Sequence, residues 1–185
     1  MNTHTNISTR RAAAAATAAG VVTTIFGILS ITDSQSSEST TVGIEHVILG
    51  GLTASLLLLV PVVLHIGRVV GRPRAARIAV TGQVALAVLT VISNVRGEDA
   101  AFFAAVAVPS NLMILGGFIA LAVALRRSGT LSSALSIALP FSLVSTLALG
   151  GVFAPIAGAY WLAIGWTLNH GELPRPAIGA EAATS

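Results

Sequence analysis

The chain has 185 residues, of which 54% are apolar and only 9% charged, with a formal net charge of +3. Soluble domains carry about 25% charged residues, so a water-exposed globule is excluded, and a mean hydropathy of +0.87 points to lipid as the main solvent. All ten basic residues are arginine, set in short clusters between apolar stretches, which leaves no exposed basic surface to track nucleic-acid phosphates.

There is no cysteine. That removes disulfides, thiol catalysis, iron–sulfur clusters and Cys-based zinc sites together. The length allows one domain and no separate soluble module.

A helix needs about 20 apolar residues to cross a hydrocarbon core about 30 Å thick. Residues 1–11, ending in Arg10-Arg11, form a cytoplasmic tail, and the first span is expected over about 12–32. Arg10-Arg11 resembles the charged start of a signal peptide. The apolar stretch behind it is longer than the usual 7–15 residues, however, and Ser30-Ile31-Thr32 is a poor cleavage site. A retained anchor is therefore expected.

Residues 33–43, rich in Ser and Thr, make an outer loop without apolar periodicity. The second, third and fourth spans fall at about 45–67, 76–94 and 101–125. Leu131 to Leu168 then runs for 38 residues without a charge, room for two spans at 131–149 and 152–169. Gly150-Gly151 supplies the turn between them, because positive φ costs glycine little. An unspanned buried hairpin is the alternative. The tail 171–185, containing Pro, Ala and Glu, is expected to be disordered.

The expected fold is therefore all-α, a bundle of six transmembrane helices with short loops over 12–170. Arginine tests the count, because cytoplasmic loops are enriched in Lys and Arg. With an internal N-terminus, Arg10, Arg11, Arg68, Arg72, Arg74, Arg77, Arg126, Arg127 and Arg175 lie inside, and Arg96 alone lies outside. Both termini are then cytoplasmic in a multi-pass protein of a bacterial inner membrane. The absence of Lys beside abundant Ala, Gly, Val and Arg suits a GC-rich genome.

Ile48-Leu49-Gly50-Gly51 in the second helix recurs as Ile114-Leu115-Gly116-Gly117 in the fourth. Both helices run from outside to inside, so a parallel two-helix duplication and a chance match are both open.

Helices in lipid associate through close backbone packing and a few hydrogen bonds. Small residues at i, i+4 spacing allow that approach: Ser142, Thr146 and Gly150 in the fifth helix, Ala154 and Gly158 in the sixth. These lines mark a seam within one bundle, or in the fifth helix the face of a homodimer.

Polar groups inside a bilayer are costly and each needs a reason. Gln83, Thr90 and Asn94 share one face of the third helix, and Ser110 and Asn111 follow Pro109 in the fourth. Interhelical hydrogen bonding explains them plainly; the functional expectation is a small polar cavity bounded by Gln83, Asn94 and Asn111. Tyr160 and Trp161 sit at depth in the sixth helix and would form its apolar wall. Trp166 belongs to an interfacial belt.

His65, one turn after Pro61, either snorkels toward Arg68 or acts as a proton carrier or ligand, since imidazole titrates near pH 6.5. Glu45 and His46 open the second helix at the lipid–water boundary, where an N-terminal acid gains from the helix dipole. His65 and His170 both lie toward the inner side, but no second pair completes a haem or metal site. No cofactor and no metal is expected. No acid lies deep in the membrane, and there is no phosphate loop, serine elbow or zincin pattern.

Ala124-Leu125-Arg126-Arg127-Ser128-Gly129 and Gly158-Ala159-Tyr160-Trp161-Leu162-Ala163-Ile164-Gly165-Trp166 together resemble uncharacterised small polytopic membrane proteins of high-GC actinobacteria. That resemblance covers mainly the C-terminal half and implies no activity. The leading expectation is a non-enzymatic accessory or small-ligand-binding membrane protein, surrounded by membrane lipids. A small-molecule transporter or channel is the alternative, and an intramembrane enzyme acting on a lipid or isoprenoid the second alternative.

Overall fold

The computed structural model describes residues 3–32, 43–147 and 153–170. These form six helices: α1 Thr3–Thr32, α2 Ile44–Val69, α3 Pro73–Arg96, α4 Phe103–Ser128, α5 Ser133–Leu147 and α6 Ala154–His170. There is no strand among the described residues.

Local chemistry sets the ends. Pro73 opens α3, where its missing N–H would have had no helical partner anyway. Gly97 and Gly129 close α3 and α4 in the left-handed conformation, with φ of 70° and 63°, which releases the chain into a tight turn. The N-terminus departs most from expectation. Alpha-helix runs back through Arg10-Arg11 to Thr3, because the alanine-rich stretch has strong helical propensity and nothing before it breaks the helix.

Four helical stretches, Ile7–Ile31, Ile44–Val69, Pro73–Arg96 and Phe103–Ser128, are long and apolar enough to cross a membrane. The described parts of α5 and α6 have 15 and 17 residues, about 22 and 25 Å at 1.5 Å per residue. The Gly150-Gly151 turn lies outside the described residues.

Each helix packs against the next in the chain, and α6 returns to α1, so the six close into a ring. Val62 and Val63 of α2, Leu89 of α3, Ile114 and Leu121 of α4, and Ile164 of α6 are 2% exposed or less. Outward faces carry large apolar side chains instead: Ile25, Val88, Leu112, Phe141 and Ile156 are all more than half exposed. An apolar surface this continuous suits contact with lipid and not with water.

Small residues make the seams. Along the antiparallel α1–α6 pair, a Cβ on Gly158 would strike the Thr24 hydroxyl, and one on Gly165 the Thr17 hydroxyl. In return, a Cβ on Gly20 would meet the Gly158 carbonyl and Leu162 at 2.8 Å, and one on Gly27 would meet Pro155 and Ala154. Thr17 and Thr24, Gly20 and Gly27, and Gly158 and Gly165 are each seven apart, the spacing that keeps one face on its partner. The Ala154–Gly158 line is thus a seam inside the bundle, and its partner is the first helix. In α5, Ser142 is buried within the chain and its hydroxyl donates to the Leu139 carbonyl at 2.7 Å. The Thr146 side chain and Gly150 lie outside the described residues.

Candidate functional site

Polar side chains form a ladder where α3 faces α2. At its outer rung, His46 Nδ1 donates to Asn94 Oδ1 at 2.6 Å, and Asn94 Nδ2 donates to the His46 carbonyl at 3.3 Å. One step deeper, the buried hydroxyls of Thr53 and Thr90 meet at 2.8 Å. The Thr53 hydroxyl also lies 2.9 Å from the Leu49 carbonyl and that of Thr90 2.9 Å from the Ala87 carbonyl; with one hydrogen each, one hydroxyl donates to its own helix and accepts from the other.

Gln83 continues this stripe and is only 1% exposed, yet its Oε1 has no hydrogen-bond partner. It lies eleven residues from Asn94, about 16 Å along the helix axis. The two amides therefore work at different depths. Asn94 belongs to an exposed clasp near the end of α3, and Gln83 to the buried middle of that helix.

Asn111 is what lies level with Gln83. A Cβ on Gly82 would press on the Ser110 carbonyl and on Ile114, so the residues that follow, Gln83 on α3 and Asn111 on α4, sit at one depth. Asn111 Oδ1 is also buried without a partner. The two helices thus each hold a buried amide oxygen without a partner at this level, one on fully buried Gln83 and one on half-buried Asn111. An unpaired buried acceptor costs about 1–3 kcal/mol.

No family model, no curated protein and no solved structure matches the chain. What the site can do therefore follows from its geometry.

Tyr160 and Trp161 pack edge to face at 5.0 Å, and Trp161 is edge-on to Phe118 of α4 at 6.2 Å. The Tyr160 hydroxyl donates to the Leu135 carbonyl at 3.1 Å, tying α6 to α5. This phenol has the partner that depth demands. Phe118 stands seven residues from Asn111 on α4, hence on the same helix face, which places the aromatic cluster about 10 Å further along the axis.

His65 stands apart from that group. It is 8% exposed and its Nε2 has no partner. With Ile66, Leu125, Leu131, Ile164 and Leu168 it borders a void of about 10 Å³, at the lower limit for one water. Its other side faces a groove between α1 and α2. His170 is turned away, donating through Nδ1 to the Trp166 carbonyl at 2.9 Å.

Two pairings escaped sequence reasoning. The His46–Asn94 clasp was legible in principle, because both residues stand at the outer ends of consecutive antiparallel helices. The buried Thr23–Ser55 bond, 2.6 Å between α1 and α2, had no signal beyond two hydroxyls among many.

Proposed function

We propose that this chain is a six-span protein of the bacterial cell membrane, with both termini cytoplasmic, that binds a small neutral hydrogen-bond donor and catalyses no reaction. The observation that carries the binding reading is the pair of orphaned acceptors, Gln83 Oε1 and Asn111 Oδ1, at one depth on adjacent helices. A donor bridging them would relieve two desolvated carbonyl oxygens at once. An alcohol, amide or similar neutral group has that chemistry. A cationic group would have no acid to balance it among the described residues, whose acids Glu45, Glu98 and Asp99 all stand at or beyond the outer helix ends.

Support for six crossings comes from α6. Its start packs beside Gly27 and its Gly165 beside Ala13 and Thr17, so it covers the same depth as α1 in the opposite sense. If α1 crosses the bilayer, α6 crosses with it.

The binding reading is tested by thermal unfolding of the purified protein against neutral alcohols, amides, polyols and isoprenoid alcohols. Wild type should be stabilised by at least one donor. Gln83→Leu and Asn111→Leu should lose that shift while remaining, without ligand, no less stable than wild type. A panel that shifts nothing, or shifts Asn111→Leu as much as wild type, rejects the site.

A further inference from the structure

At the arginine-rich end, the start of α1 and the end of α2 leave a groove of about 480 Å³ between them. Arg11 and Arg68 line it, one from each helix, together with Ser8, and Ile7, Pro61 and Leu64 supply apolar walls. Both arginines are exposed. Buried His65 forms part of the wall, and the core void lies on its far side.

Among the described residues the charge here is not balanced locally. All three acids among the described residues stand at the opposite end of the bundle. Two guanidinium groups on facing helices suit a phosphate, which each can grip with paired N–H donors. The apolar residues are placed differently. Leu64 and Pro61 precede Arg68 by four and seven residues, about 6 and 10 Å deeper along the helix. Charge at the rim with apolar wall beneath it matches an amphiphile and not a free ion.

We propose that this groove binds an anionic phospholipid, its phosphate between Arg11 and Arg68 and the start of an acyl chain against Pro61 and Leu64. This rests on the membrane reading of the chain and is independent of the Gln83–Asn111 site.

The test is native mass spectrometry of the full chain in detergent, titrated with phosphatidylglycerol or phosphatidylcholine. One tight phosphatidylglycerol is expected, with phosphatidylcholine at least tenfold weaker. The double variant Arg11→Gln/Arg68→Gln should lose about tenfold in phosphatidylglycerol affinity. Arg126→Gln/Arg127→Gln removes the same charge at the same end and should change it less than twofold. If the first double variant folds poorly, Arg68→Gln alone should move affinity in the same direction. Inorganic phosphate at millimolar concentration should not displace the lipid. Equal losses in the two double variants would mean diffuse charge attraction, equal binding of the two lipids would mean no headgroup recognition, and displacement by phosphate would mean a free-anion site. Each of these overturns the proposal. None bears on the thermal shifts that test the neutral ligand.

Discussion

A hydroxyl inside a membrane helix can be satisfied by the carbonyl one turn back, by another helix, or by both. Thr17 and Thr24 take the first course, donating to the Ala13 and Gly20 carbonyls at 3.0 and 2.9 Å, so the hydroxyls on which Gly165 and Gly158 pack need no acceptor from α6. Thr53 and Thr90 take both courses. With one hydrogen each, one hydroxyl donates across while the other keeps its own carbonyl, and either can fall back on the carbonyl of its own helix, so loss of the interhelical bond exposes no orphan donor. A double-mutant cycle of Thr53→Val and Thr90→Val should accordingly give a coupling of about 0.6 kcal/mol, the average for such bonds in membranes. Unfolding in mixed micelles measures it. A coupling above about 2 kcal/mol would show that the pair bears on something larger than its own contact. Gln83 and Asn111 differ in kind, because their oxygens have no such fallback. That difference was hidden in the sequence, where Gln83, Asn94 and Asn111 carried equal weight as the bounds of one polar cavity. Helical spacing assigns a face to each, but only the depth at which α3 meets α4 tells Asn94 from Gln83.

At the scale of the helix, adjacent glycines in the recurring Ile-Leu-Gly-Gly string have opposite surroundings. A Cβ on Gly116 would meet nothing within 4 Å, whereas one on Gly117 would meet the Ala79 Cβ at 2.7 Å and the Ala75 carbonyl at 2.8 Å. Gly116→Ala should then be neutral or stabilising by up to about 1 kcal/mol, from helix propensity alone. Gly117→Ala should destabilise, because backbone atoms of α3 cannot move aside as a flexible side chain can. Thermal stability of the two variants in one detergent decides this, and a Gly117→Ala protein as stable as Gly116→Ala would mean that α3 and α4 are not so closely packed. The string in α2 behaves alike: Gly51 faces Phe26 of α1, so in both copies the second glycine receives the preceding helix. Depth differs, since Gly51 stands seven residues after the start of α2 and Gly117 fourteen after the start of α4. The face is kept and the level shifts by two turns. Hydropathy made the helices legible to within a few residues, apart from the start of α1. Which helices touch was less legible. The α1–α6 seam joins the two ends of the described chain, and its signal, Thr17, Gly20, Thr24 and Gly27 at alternating spacings of three and four, lay inside an alanine-rich segment that reads as simple anchor.

For the molecule as a whole, the two ends of the ring are chemically unlike. The N-terminal part of α1 meets the C-terminal part of α2 through the groove holding Arg11 and Arg68. Arg72, Arg74 and Ala75 of the next turn lie against Ala120 and Val123 of α4, whose last turn carries Arg126 and Arg127. The opposite end holds Arg96, already paired with Glu98 at 3.3 Å, and the His46–Asn94 clasp. Arginine resists transfer across the membrane, so the richer end should stay in the cytoplasm. Reporter fusions after Arg74, Arg127 and Arg175 should read cytoplasmic, and fusions within 33–43 and at Gly97 should read external. The fusion after Arg175 carries the most information, because α5 and α6 are the two helices whose described lengths fall short of a full crossing. Packing bears on α6: it starts beside Gly27 and reaches Ala13 at Gly165, five residues before its end at His170. Its C-terminus must then leave on the side where α1 begins. An external signal after Arg175 together with a cytoplasmic one after Arg127 would break that logic, leaving α5 and α6 as a pair whose return does not match the α1 seam. Concordant cytoplasmic signals at all three sites would establish the even number of crossings that the closed ring requires.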